Sequence, residues 1–263
     1  MKHMLMALEV QGRVIKALFL RELKTRFGEK RLGFLWAFGE PIIHVLTIVV
    51  LWKIFGRMGP QGIDPMLFLF TGVIPYIMFN NIMNKVMRSI SGNKALLVFP
   101  QVKPIDLILT RIVVEFTTYG VVFLFFIFAC KYIGMDFTVK YPLGVVQNFA
   151  LMALLGGGFG YILMPLISIF KIVEHIAQFI SRALYITSGA IFSVDRLPHV
   201  LKQYMQWNPA LQIMHMLRAD FFPDMTMKPE FSNMPYLLFL ISGMWLFAMV
   251  LTARLMIYIL EER

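Results

Sequence analysis

The chain has 263 residues, 59% of them apolar and only 15% charged, with a formal net charge of +10 at pH 7 and a mean hydropathy of +0.71. A water-soluble domain carries about a quarter charged residues to cover its surface, so the composition excludes an ordinary soluble fold and points to a chain solvated by lipid. The single cysteine, Cys130, can form no internal disulfide and no thiolate metal cluster, and reads as a packing residue inside an apolar block.

Residues 1–10 hold one Lys and no long apolar core, which argues against a cleaved signal peptide and leaves the first true span as the insertion signal. Residues 13–27 form an amphipathic helix. At 100° per residue Arg13, Lys16, Arg21 and Lys24 fall on one side, and Val14, Ile15, Leu18, Phe19 and Leu23 on the other. Glu22 is a misfit on the apolar side. Two readings stay open: a generic basic anchor at the membrane interface, or a docking helix for a partner.

Six apolar blocks follow, at 35–55, 66–90, 105–131, 144–170, 176–194 and 234–260, each long enough to span once tilt is allowed. In the first, Glu40 precedes Pro41, with His44 one turn on. The carboxylate is either half of a helix-end ion pair or a group at the mouth of a polar pathway. Between the second and third blocks lies a short apolar turn, 95–99, marked off by Pro100 and Pro104. On the third block Arg111 and Glu115 stand at i, i+4 and are expected to pair on one face. The fourth contains Gly156 and Gly160, a small-xxx-small face for close helix packing. The connection 195–233 has prolines at 198, 209, 223 and 229 and an amphipathic middle, expected to form one or two short helices at the outer interface.

Basic residues concentrate in the N-terminal segment and in the connection holding Lys85, Arg88, Lys94, Lys103 and Arg111, which puts both termini in the cytoplasm. The aromatics read mainly as interface-belt residues; those facing a pore would suit sugar rings. There is no G-x-x-x-x-G-K-[ST], no H-E-x-x-H and no G-x-S-x-G. An embedded glycosyltransferase or acyltransferase would need such convergent groups, and a secondary transporter would be expected to show inverted repeats. Neither signature is found, and no feature points to nucleic acid.

Three elements carry a resemblance: Arg21-Glu22-Leu23-Lys24-Thr25-Arg26-Phe27-Gly28 with Arg31-Leu32-Gly33-Phe34-Leu35-Trp36 and Glu40-Pro41; Val102-Lys103-Pro104-Ile105-Asp106 followed by Arg111 and Glu115; and Trp207-Asn208-Pro209. In this order, with six blocks around them, they resemble the ABC-2-type permeases of Gram-negative capsular polysaccharide exporters. O-antigen and teichoic-acid permeases share the pattern more loosely. The resemblance implies an all-α integral membrane fold in one domain, 1–263: a cytoplasmic interface segment, 1–34, then a six-helix membrane domain, 35–260, with short re-entrant helices in the last outer loop. It implies a transport subunit of the inner membrane, not an enzyme. It would act as a homodimer with two copies of a separate cytoplasmic ATPase that binds ATP and Mg, with a periplasmic co-polymerase and an outer-membrane exporter beyond. By the resemblance, Arg21, Glu22, Lys24, Arg26, Phe99, Pro100, Lys103 and Asp106 couple to the ATPase. The candidates for the path of the lipid-linked polysaccharide are Arg31, Trp36, Glu40, His44, Tyr76, Tyr119, Tyr185, Trp207 and Arg218. No cofactor is expected on the chain itself.

Overall fold

A computed structural model describes residues 2–27, 31–56, 59–99 and 101–261; within these, the side chains of 2–10, 26–27, 31–35, 37, 61, 94, 196 and 256–261 lie outside the description. The described residues form helices α1 (Lys2–Phe27), α2 (Arg31–Ile54), α3 (Pro65–Met87), α4 (Pro104–Tyr132), α5 (Pro142–Ile169), α6 (Ile172–Thr187), α7 (His199–Met205), α8 (Pro209–Phe221) and α9 (Met234–Glu261), with short 3-10 turns between them. Among the described residues, four segments are long and apolar enough to cross a membrane: Pro65–Met87, Pro104–Tyr132, Pro142–Ile169 and Pro229–Leu255.

The apolar helix α3 is the axis of the bundle, enclosed by α2, α4, α5 and α8. Its start is set locally: Pro65 at the first helical position and Asp64 before it, whose carboxylate accepts from the amides of Met66 and Leu67. Toward that end, Phe70 packs on Phe123, Phe126 and Phe221 with ring centroids 5.3 to 5.8 Å apart. Toward the other end α3 and α5 approach closely. A Cβ on Gly156 would lie 2.7 Å from the carbonyl oxygen of Phe79, and one on Gly160 2.6 Å from that of Met83. The small-residue face therefore packs as its spacing predicts.

The fifth block differs from its expectation. Instead of one span over 176–194, α6 ends at Thr187 after 16 residues, about 24 Å at 1.5 Å per residue. The chain then turns through Gly189, whose φ of +74° suits a residue without a Cβ. Asn208 holds α8 against that turn. Its side-chain oxygen caps α8, and its amide donates to the Thr187 carbonyl at 3.1 Å. The Asn208-Pro209 pair is thus a helix start.

Candidate functional site

Two arrangements of polar residues stand out against this apolar frame. The first is a cleft of about 620 Å³ bounded by α2, α3 and α6. Tyr76, Asn80, Asn84 and Arg88 recur every fourth residue, so they share one face of α3. On α6, Glu174, Gln178, Ser181 and Tyr185 line the facing side, and Ile176, Phe179 and Ile180 are exposed on the opposite one. The stripes meet antiparallel. Arg88 pairs with Glu174 at one end, the Ser181 hydroxyl donates to the Asn80 side-chain oxygen at 2.7 Å, and the Tyr76 hydroxyl donates to the Ser181 carbonyl. The cleft is closed by three rings: Tyr76 and Tyr185 have centroids 4.8 Å apart, and His44 Nε2 lies 2.6 Å from the Tyr185 hydroxyl. Glu40 lines the cleft near His44. Sequence reasoning named Glu40, His44, Tyr76 and Tyr185 here but missed the amides, Ser181 and the two arginines that line the cleft, Arg88 and Arg182. The four-residue repeat on α3 and the polar arc of α6 were the signals that could have found them.

The second arrangement is at the end of the bundle that carries Arg88 and Glu174. There α1 lies along α4, with Leu18 buried and Arg13, Lys16 and Lys24 exposed, as its periodicity predicts. Glu22 forms an ion pair with Arg111 of α4. A carboxylate that looked misplaced on an apolar face is the contact that orients the helix. Arg21 donates to the Asn93 side-chain oxygen at 2.7 Å, and Gln11 donates to Asp106. Asp106 also accepts the Lys103 amide at 2.8 Å, capping α4 behind Pro104. So Arg21, Glu22 and Asp106 are committed within the chain, whereas Lys24, Lys103 and Phe99 face outward. The side chains of Arg26 and Arg31, and Pro100 altogether, lie outside the described residues.

The expected Arg111–Glu115 pair is corrected. Arg111 turns to Glu22, and Glu115, buried, takes Lys85 of α3 at 2.5 Å. The two side chains are drawn to different neighbouring helices, which outweighs the few tenths of a kcal/mol an i, i+4 pair contributes.

Other path candidates lie apart from the cleft. Trp36 is exposed and borders a smaller groove of about 300 Å³ that shares Glu40 and His44. Trp207 is exposed beyond α7 and packs edge-on against Tyr236. Tyr119 is enclosed and accepts from the Asn81 amide at 2.5 Å. Arg218 is also enclosed, at 2% exposure. Its guanidinium donates to the carbonyls of Gly189, Ala190, Phe192 and Phe68, bonds the Thr71 hydroxyl, and lies 3.7 Å from the centre of the Phe68 ring. This position makes it part of the scaffold, out of reach of anything passing over the surface. Among the described residues no three His, Cys, Asp or Glu side chains converge to hold a metal ion.

Apolar helices long enough to cross a bilayer, a polar cleft between one of them, α3, and its neighbours α2 and α6, and a basic helix strapped to one end define a polytopic membrane protein of transport type. The chain belongs to the ABC-2 type transporter family, whose profile matches residues 13–222. It is 31% identical over 215 residues to the polysialic acid transport protein KpsM of Escherichia coli, covering 82% of this chain and 83% of that one. It is also 31% identical over 224 residues to the capsule polysaccharide export inner-membrane protein BexB of Haemophilus influenzae, covering 85% and 84%. A likeness to the O-antigen export system permease RfbA of Myxococcus xanthus, 34% identical, covers only 36% of this chain and 38% of that one.

Proposed function

We propose that the chain is the membrane-spanning permease of an ATP-driven exporter that carries lipid-linked capsular polysaccharide across the bacterial inner membrane. One observation carries the reading. Similarity to capsule-export proteins runs over more than four fifths of both chains, 82% and 83% for KpsM, against about a third for the O-antigen permease. In this reading α2 and α6 add two spans to the four apolar segments, which places both termini in the cytoplasm with the basic residues inside. The chain forms one domain. α7 and α8 are the re-entrant pair of the outer loop, and α6 crosses the membrane with the help of the turn that follows it.

The permease works as a homodimer on two copies of a separate ATPase, which supplies the ATP and Mg chemistry. Lys24, Lys103 and the exposed apolar pair Val98 and Phe99 are the surface offered to that ATPase. Arg21, Glu22 and Asp106 transmit its movement by fixing α1 and the 91–98 turn to α4. Polymer leaves through a periplasmic co-polymerase and an outer-membrane exporter.

Deleting the coding sequence tests the proposal. Lipid-linked polymer should accumulate inside the cell and disappear from the surface, and the intact chain supplied in trans should reverse both effects. Surface polymer at its normal level in the deletion strain overturns it.

A further inference from the structure

The cleft between α2, α3 and α6 contains one charge that nothing described in it neutralises. Arg88 is committed to Glu174, and Glu40 has a partner of its own. Arg182, at the rim of the polar arc on α6, lines the cleft, is exposed, and has no ion pair or hydrogen bond among the described residues. A guanidinium stays charged under any physiological condition. Within a membrane helix it is costly, and such residues face protein or a water-filled path and mark where ligands or ions travel. Arg182 is therefore placed for a partner beyond the described residues, and that partner is an anion.

The neighbours of Arg182 say what else the anion carries. Asn81 gives its amide N–H to Tyr119, and Asn84 gives its own to Asn80, which leaves both side-chain oxygens able to accept. Gln178, one turn before Arg182, makes no hydrogen bond among the described residues. Neutral donors and acceptors at several depths suit hydroxyl groups, which need pairing but not charge. The volume of about 620 Å³ lies in the range of small-ligand sites. A forked guanidinium suits a planar or tetrahedral oxyanion better than a point charge would.

Resting on the export reading above, we propose that the cleft is a binding site for a hydroxyl-rich saccharide segment bearing an oxyanion. Arg182 receives the anion, and Asn81, Asn84 and Gln178 take the hydroxyls. The exporter thereby favours acidic over neutral glycans. The oxyanion has two sources, the carboxylate of an acidic sugar or the phosphate of a lipid carrier, and both present the same chemistry to Arg182.

The test uses the full chain, purified with whatever ATPase accompanies it, in phosphatidylcholine nanodiscs. Binding of a sialic acid tetramer is compared with that of maltotetraose, an uncharged tetramer. The acidic tetramer should bind about tenfold or more tightly. Arg182→Gln should bring the two to parity while leaving maltotetraose unchanged, which also reports that the variant is folded, and Arg182→Lys should recover part of the preference. Asn84→Ala with Gln178→Ala should weaken both tetramers alike. Repeating the measurement with phosphatidylglycerol in the disc separates the sources. Competition that depends on Arg182 assigns the site to a lipid phosphate, and its absence assigns it to the sugar carboxylate. Equal affinity for both tetramers in the native chain, a preference that survives Arg182→Gln, or no binding of either tetramer overturns the proposal. If export is lost on deletion while the preference is missing, the transport reading stands and the Arg182 assignment falls. If deletion leaves export intact, the transport reading falls whatever the tetramers do.

Discussion

Arg218 and His215 lie one turn apart on α8, and burial governs both. Arg218 has no carboxylate partner among the described residues; its charge is spread over backbone carbonyls and the face of Phe68. Arg218→Ala orphans several of those carbonyls, and each buried polar group left without a partner costs roughly 1–3 kcal/mol. The thermal aggregation midpoint in detergent should fall sharply, and Arg218→Lys, which lacks the fork, should recover only part of it. His215 accepts the Lys228 amide on Nε2 at 3.0 Å, which requires an unprotonated nitrogen. Burial, aided by Lys228 and Arg218 and opposed by Asp195, pulls the imidazole from 6.5 down to about 4. A histidine pKa lowered by folding contributes stability that is full above about 6.5 and is lost as pH falls through about 4. Burial pushes Asp195 up, but the bonds from Lys228 and Ser193 bring it below its ordinary value, so it stays charged over most of that window. Proteolysis of the 226–233 segment should therefore speed up between pH 7 and pH 4.5, and His215→Gln should flatten the dependence. Neither residue announces its role in the sequence. An arginine in an outer loop reads as surface, because backbone carbonyl partners leave no mark in the pattern of side chains.

Helices were legible in proportion to how well their periodicity matched a single neighbour. The sidedness of α1 and the Gly156–Gly160 face could be read directly, since each meets mainly one partner helix, α4 and α3 respectively. By contrast, α4 is pulled by α1 on one side and α3 on another, so Arg111 and Glu115 part company and a purely local rule fails there. The polar seam of α3 and α6 escaped because its amides are scattered through blocks that average as apolar. Two expectations belong to this scale. Glu22→Arg should loosen α1 by roughly 1.5–3 kcal/mol, the range for a charge-assisted hydrogen bond. Combining it with Arg111→Glu should return most of that loss, read as resistance of α1 to proteolysis; a double variant no better than the single one would remove the pair from the account. Gly160→Leu would drive its first carbon into the Met83 carbonyl and Val86. About 1–3 kcal/mol of overpacking should appear as a lower yield of folded protein, with Gly160→Ala milder.

For the whole molecule, the outward charges on α1 and before α4 are the surface proposed above for an ATPase. Lys24→Glu with Lys103→Glu should abolish co-purification of the ATPase while membrane insertion stays normal; retention of the ATPase by that variant would remove these residues from the docking surface. The two ends of the α3–α6 pair differ in how they are held. Past Thr187, a buried guanidinium gathers the turn after α6 and the start of α3 into one knot. At the far end a half-exposed Arg88–Glu174 contact, open to screening by salt, ties them. Such a pair behaves as tongs, riveted at one end and lightly clasped at the other. Force delivered at the clasped end would therefore part the two helices on the side on which α1 sits before it disturbed the knot beyond Tyr76 and Tyr185.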